Sequence, residues 1–451
     1  MSVIDESVCE DQSGSGLSEH LSLKSNFIWT VTGNIFYAGC QAGMLFVIAK
    51  LGTPAMVGSL GLALAICAPI VIFSNLKLRA VQATDAKGEY KFGHYLALRI
   101  VSTIFAMAII GIIALLPRYR GEIGLIIIAV GIAKGFETFS DIFYGLFQQH
   151  EHMDRIAISM MIKGLASLAV QGSILYWTGS LLFSTLGMAL VWALVFITYD
   201  LGNGIRTLTP KSDEKYRAFS IKSLKVLHPI WQWPKIAQLL WQTLPLGLVV
   251  MIGSLNTNVP RYFLEYNAGV HNLGIYVAMA NLLIASSTII TALGQSASPR
   301  MAIYYASDNR LAFYKLLYRL IGFGLLVGVV SVILVACAGK QILTILYKPE
   351  YACQNSVFVW LSIAAGLRYA YVFLGTSLSA MRRFHVQLPI HSVSLVFLTL
   401  LCYLLVPRWG MSGAAWAFVG SAIIEGLAYG IVVVYYLSKN FAPPKNAAKS
   451  E

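Results

Sequence analysis

The chain has 451 residues, of which 57% are hydrophobic and only 12% charged. Soluble domains carry roughly 25% charged residues, so two soluble domains of this length are excluded and a polytopic membrane protein is implied. The formal charge of +13 would point to nucleic acid in a soluble chain, but in a membrane protein it reports which loops face the cytoplasm, and no nucleic-acid partner is expected.

In chain order, residues 1–26 form a polar tail with five acids and Lys24, lacking the basic start and apolar core of a secretory signal. Twelve apolar stretches long enough to cross a bilayer follow, near 27–49, 55–75, 94–116, 122–146, 156–178, 180–200, 237–259, 272–295, 316–338, 355–379, 387–406 and 412–437. Stretches such as Ile100 to Leu116 are apolar on every face, which fits helices and not the alternation of a barrel strand. The expected fold is therefore all-α and polytopic, with about twelve transmembrane helices.

Residues 201–236 form the longest connection, basic and proline-containing, with Trp231 and Trp233 suited to the membrane interface. It divides the spans into bundles over 27–200 and 237–438, leaving 439–451 as a second polar tail. Local matches support a parallel repeat: Val57-Gly58 against Leu273-Gly274, Arg79 against Arg300, Arg99 against Arg319, and Glu137 against Arg368. Two pseudo-symmetric six-helix bundles around a central cavity are expected.

With both termini on one side, that side holds 21 of the 33 basic residues, the opposite side seven, and the spans or their ends five. Both termini are therefore expected in the cytoplasm. The six cysteines show no metal-ligand spacing, and Cys337 and Cys353 read as free thiols or as a pair near the outer face. No metal or cofactor is expected.

Each charge within a span costs at least about 2.5–3.5 kcal/mol to insert and needs a reason. Lys134, Glu137 and Asp141 lie on one face of the fourth span. Lys134 and Glu137 read either as an internal salt bridge or as part of a cavity wall. The carboxylates could take H⁺ or Na⁺ or orient a sugar, with Asp141 the preferred coupling candidate because only Lys134 accompanies it on its helix. Lys163 is placed to pair with either acid across the bundle, and Lys163 and Arg368 are also candidates for binding a pyrophosphate or sugar. Arg368 and Glu425 are single charges in apolar helices, expected to face water.

Arg79, Arg99, Arg300 and Arg319 at span ends read as snorkelling anchors, with Arg79 and Arg300 also candidates for an anionic headgroup. Arg261, following Asn256, Asn258 and the helix-loosening Pro260, combines an Arg fork suited to phosphate with a polar patch. Pro69, Pro245 and Pro389 read as kinks, and His391 as a core histidine.

The stretches NLKLRAVQATDAKGEYKFGHYLALR (Asn75 to Arg99), NFIWTVTGNIFYAG (Asn26 to Gly39), FETFSDIFYGLFQQHEHMDRIAISM (Phe136 to Met160) and GQSASPRMAIYYA (Gly294 to Ala306) resemble bacterial polysaccharide-unit flippases. These are the O-antigen, capsule and exopolysaccharide branch of the multidrug/oligosaccharidyl-lipid/polysaccharide (MOP) exporter superfamily. The resemblance implies alternating access and an undecaprenyl-pyrophosphate-linked oligosaccharide turned across the bacterial plasma membrane. Lipids, and other polysaccharide-assembly proteins, are the partners it suggests. An ion-coupled multidrug or metabolite antiporter of the same superfamily is the alternative. A membrane polysaccharide polymerase or ligase fits worse, because the outer loops are too short for a catalytic domain.

Overall fold

A computed structural model describes residues 23–85, 88–209 and 227–440. The tails at 1–22 and 441–451, residues 86–87 and residues 210–226 of the basic connection fall outside the described residues. Among the described residues thirteen α-helices follow in order. They are α1 (Leu23–Leu51), α2 (Pro54–Ser74), α3 (Leu78–Ala83), α4 (Phe92–Ala114), α5 (Glu122–Gln149), α6 (Met153–Thr178), α7 (Leu181–Val195) and α8 (Leu201–Leu208). The second half holds α9 (Trp233–Ala306), α10 (Arg310–Leu346), α11 (Pro349–Ala352), α12 (Asn355–Ala380) and α13 (Gln387–Asn440).

Among the described residues ten helical stretches are long and apolar enough to cross a membrane. Two are too long for one crossing: the 74 residues of α9 would extend about 111 Å at 1.5 Å per residue. Each is broken at a glycine in the left-hand half of φ space, Gly269 (φ 79°) in α9 and Gly410 (φ 52°) in α13. Only a residue without Cβ takes such angles without strain. The breaks resolve these ten into the twelve crossings expected from hydropathy. Pro245, Pro260 and Pro299 all sit within α9, yet the non-helical dihedrals occur at Gly269. The two breaks in the helical path are thus made at glycine, while Pro69 and Pro245 stand inside continuous helix.

Local chemistry sets several helix starts. Thr53 caps α2, its hydroxyl accepting from the Met56 N–H, with Pro54 at the first turn where its missing N–H costs nothing. Ser180 and Asn309 cap α7 and α10 in the same way. The sixth span does not end at residue 200. A π-helical turn, Phe196–Asp200, joins α7 to α8, so the helical path continues to Leu208.

Small residues let the helices approach closely, as expected where no water drives association. In the first half Gly33 of α1 packs on Ala157 of α6, and in the second Gly328 of α10 faces Gly366 of α12. Large apolar side chains such as Ile104, Leu190, Val396 and Ile431 stay exposed on the outside. They form a lipid-facing surface that would be untenable in water.

One core joins the two halves: Val57, Leu62 and Ile126 pack with Leu264, Leu273, Tyr347 and Leu361. Away from this contact layer the cores separate, one from the second half alone and others centred on the first. The start of α9 is an exception to a clean division at 237, since Ile236 and Leu239 pack with Leu76, Leu98 and Phe143 of the first half. Trp231 and Trp233 beside it are exposed, as an interfacial position requires. Cys337 and Cys353 are exposed free thiols, so the alternative of a disulfide is not realised.

Candidate functional site

Each half contains a polar cavity on the same side of the contact layer. The first, about 340 Å³, is lined by Tyr37, Asn75, Arg79, Lys134, Glu137, Asp141, Tyr144 and Lys163 among others. Its charges come chiefly from α5, where steps of three and four residues keep Lys134, Glu137 and Asp141 on one face.

Lys134 Nζ lies 2.6 Å from Glu137 Oε2, the salt bridge its spacing allows, and the Tyr37 hydroxyl donates to Glu137 Oε1 at 3.2 Å. Asp141 differs from its expected isolation. It accepts from the fully buried Arg99 at 3.1 Å and lies 3.7 Å from Arg79. Arg99 also donates to Asn75. It is therefore a core cation rather than a snorkelling anchor.

Lys163 pairs with neither acid of α5. It lies 2.8 Å from Asp200, both side chains being buried, and also donates to Ser140 and to the Tyr144 hydroxyl at 3.0 Å. Ser159 completes the network, donating to Asp200 at 2.6 Å. Sequence reading missed Asp200 because it stands at the end of an apolar run, 37 positions from Lys163. The π-turn that carries it inward leaves no signal in hydrophobic periodicity.

The second cavity, about 400 Å³, is richer in hydroxyls and amides: Thr291, Gln295 and Ser298 from α9, Thr376 and Ser379 from α12, and Gln387 from α13. Arg368, Tyr371, His391, Glu425 and Tyr429 also line it. Glu425 is buried and accepts from Tyr371 at 2.8 Å and Ser394 at 3.3 Å, with His391 Nδ1 at 3.0 Å from its other oxygen. His391 is thus more than a core histidine. Its Nε2 lies 3.1 Å from the Tyr429 hydroxyl, and Tyr429 stacks on Tyr371 with centroids 5.9 Å apart. Arg368 lies over the Phe418 ring at 5.2 Å.

The two halves repeat one arrangement. A base on the fifth or eleventh span meets an acid on the sixth or twelfth: Lys163 with Asp200, His391 with Glu425. A tyrosine from the fourth or tenth span, Tyr144 or Tyr371, hydrogen-bonds to the pair.

The remaining sequence candidates lie elsewhere. Arg261 and Arg300 line neither cavity. Arg261 belongs to the part of α9 bearing Tyr262, which donates to the Ala65 carbonyl, and its buried Nε has no partner. Arg300 is exposed. Asn256 donates to the His391 carbonyl at 3.1 Å, tying α9 to α13, while Asn258 folds back onto Ser254 of its own helix. Among the described residues no cluster of His, Cys, Asp and Glu suits a metal.

The contact layer carries its own polar ties. Arg118 Nη2 is 2.8 Å from Glu265 Oε2 with the guanidinium 4.4 Å over Tyr266, and Lys348 donates to the Gly52 carbonyl.

Comparison with known proteins places this architecture. The chain is 29% identical over 417 residues to the capsular polysaccharide biosynthesis protein CapF of Staphylococcus aureus, covering 92% of this chain and 98% of that protein. Its fold resembles the inward-facing conformation of a multidrug resistance MATE family transporter of the MOP superfamily (TM-score 0.70, 13% identity, 91% and 98% covered). It also resembles the lipid II flippase MurJ in an inward closed conformation (TM-score 0.69, 12% identity, 92% and 89% covered). The outward-facing conformation of a MATE transporter matches less well, with a TM-score of 0.58 at 13% identity and coverage of 92% and 96%. The polysaccharide biosynthesis protein family model matches residues 23–305, and the chain belongs to that family.

Proposed function

We propose that the protein is a flippase that moves a lipid-linked oligosaccharide, carried on undecaprenyl pyrophosphate, across the bacterial plasma membrane for cell-surface polysaccharide assembly. The supporting observation is the pair of polar cavities facing the same way from two halves of a chain in this family.

Charge separates their roles. In the first cavity's network four cations (Arg79, Arg99, Lys134, Lys163) meet three acids (Glu137, Asp141, Asp200), and Asp141 is shared between two arginines. Arg79, a third exposed, bonded to Gln148 and 3.7 Å from the shared Asp141, is the surplus cation. Arg368 is the second, since it stacks on Phe418 and has no ion pair within 4 Å among the described residues. A diphosphate gathered between Arg79 and Arg368 would have one fork from each half, and Arg suits it because it stays charged and donates in pairs. The hydroxyl and amide wall of the second cavity, with the Tyr371–Tyr429 stack, suits sugars.

The excess of basic residues assigns the cavity side to the cytoplasm, with both termini there, so the contact layer closes the outer side. Alternating access then requires the layer around Gly58 and Gly274 to part while the cavity side closes. Protein partners, if recruited, would belong to the same polysaccharide assembly.

Arg368→Ala and Arg79→Ala are expected to abolish surface polysaccharide in a host that depends on this gene while the protein still reaches the membrane. Normal polymer from both variants would overturn the headgroup assignment.

A further inference from the structure

The repeated acid–base pair is not equivalent in the two halves. In the first, the base is Lys163, enclosed with Asp200 and held by two hydroxyls. In the second, the base is a histidine, about one fifth exposed, on the wall of the cavity that also holds Arg368. Only imidazole has an unperturbed pKa near neutrality, about 6.5 against about 10.4 for lysine. The same geometry has therefore been given an ammonium in one half and an imidazole in the other.

The groups around His391 are defined. From α13 they are Glu425 at 3.0 Å and Tyr429 at 3.1 Å; from α12, Arg368 and Tyr371 line the same cavity. α9 contributes Thr291, Gln295 and Ser298 to that lining, and Asn256 bonds to the His391 carbonyl without charge. His391 Nδ1 lies 3.0 Å from Glu425 Oε1, and with the ring neutral Nε2 accepts from the Tyr429 hydroxyl at 3.1 Å. The charges of Arg368, Glu425 and His391 then sum to zero. A proton from the cavity water adds at Nε2, which turns from acceptor to donor, and the Tyr429 hydroxyl reverses to accept. Glu425 is now neutralised by an adjacent imidazolium, and the net charge of the three becomes positive.

We propose that His391 and Glu425 form a proton-binding site on the cavity wall, and that protonating His391 strengthens the hold of Arg368 on a diphosphate. The linkage rests on the diphosphate reading above; the proton site does not. By reciprocity, a bound diphosphate draws a proton onto His391. One linked proton changes affinity by at most tenfold per pH unit, over the interval between the site's free and bound pKa values.

Full-length protein in lipid nanodiscs would be titrated with farnesyl diphosphate from pH 5.5 to 8.5 by calorimetry, alongside imidazole NMR of the histidine-labelled protein. The probe's own phosphate ionisation is common to all variants. The expected result is affinity that rises as pH falls, an added slope lost in His391→Phe, and tight pH-insensitive binding through this site in His391→Lys. One titrating imidazole should disappear with His391, and Glu425→Gln should shift it. Retention of the other imidazole resonances shows that each variant is folded. Binding with the same pH slope in wild type and His391→Phe would overturn the linkage. An imidazole of His391 that does not titrate between pH 5.5 and 8.5 would overturn the proton site. Absence of binding at every pH, with His391 still titrating, would overturn the diphosphate reading and leave the proton site standing.

Discussion

Gly58 and Gly274 face each other across the contact layer in a reciprocal arrangement. A Cβ on Gly58 would stand 1.9 Å from the Val270 carbonyl oxygen, and one on Gly274 would stand 1.8 Å from that of Pro54. Each glycine therefore meets the residue four positions before the other, as a two-fold relation between spans two and eight requires. Backbone is the obstacle on both sides, so no rotamer change relieves the clash. Alanine at either site is expected to prise the halves apart here at a cost of about 1–3 kcal/mol, the usual range for overpacking. In a two-state transporter that is a shift of roughly 5- to 150-fold against the closed layer. Spin labels on either side of the layer should report a longer mean separation in Gly58→Ala; an unchanged distance distribution would remove Gly58 and Gly274 from the gate.

Arg118 and Glu265 supply an electrostatic tie at the same end, with Arg118 also stacked on Tyr266. Arg118 keeps its charge more firmly than usual. Partial burial works against it, but the hydrogen bond and charge of Glu265 outweigh that cost. Because Arg118 is more than a third exposed, the pair is worth at most about 1 kcal/mol. Arg118→Glu should open the layer to a smaller degree than Gly58→Ala, and the double exchange Arg118→Glu/Glu265→Arg should restore it. The same spin-label distances, read at low and high salt, check both claims, since salt weakens an exposed pair.

Much of this was legible in the sequence, for identifiable reasons. Spans follow from runs of apolar residues, and Lys134–Glu137 follows from a three-residue helical step. The glycine matches at 58 and 274 mark the repeat in the sequence itself, and the two residues meet in the structure. Arg99 was misread because a span-end arginine usually snorkels, and its partners Asn75 and Asp141 lie 24 and 42 positions away. Asp200 was lost for the same reason, compounded by the π-turn. Arg261 looked like a phosphate ligand from its composition alone, whereas lining a cavity depends on helix rotation, which hydropathy does not record.

Asp85 organises the connection between α3 and α4. Its carboxylate accepts from the N–H groups of Glu89 and Tyr90, each at 3.0 Å, and from the Tyr95 hydroxyl at 3.2 Å. Partial burial disfavours its charge, yet these bonds prevail and hold its pKa below the ordinary carboxylate value. The loop in turn presents Tyr90 to Gln242 and His94 to Gln232, fixing the start of α9 to the first half. A depressed folded-state pKa means this stabilisation is full above about pH 4 and fades as pH falls through the lower folded value. Asp85→Asn should lower the unfolding temperature at pH 7 and flatten the acid limb of the stability profile. The loss should be about 1–3 kcal/mol, because a bond to a charged acceptor is at stake. Thermal unfolding of both proteins between pH 3 and 7 measures it.

Lys163 and Asp200 form the buried pair of the first half, and their prediction separates folding from transport. Removing either partner leaves an uncompensated charge away from water, at a cost of about 3–5 kcal/mol. Lys163→Met and Asp200→Asn singly should therefore give little folded protein. The double replacement by uncharged residues, Lys163→Met/Asp200→Asn, should recover much of the stability, since apolar substitution of a whole pair is often neutral. Size-exclusion profiles and thermal unfolding in detergent establish that recovery. Surface polysaccharide from the double variant then decides the role of Lys163. Restored polymer makes the pair a packing device. Folded protein without polymer makes Lys163, which lines the first cavity, a contributor to headgroup binding beside Arg79.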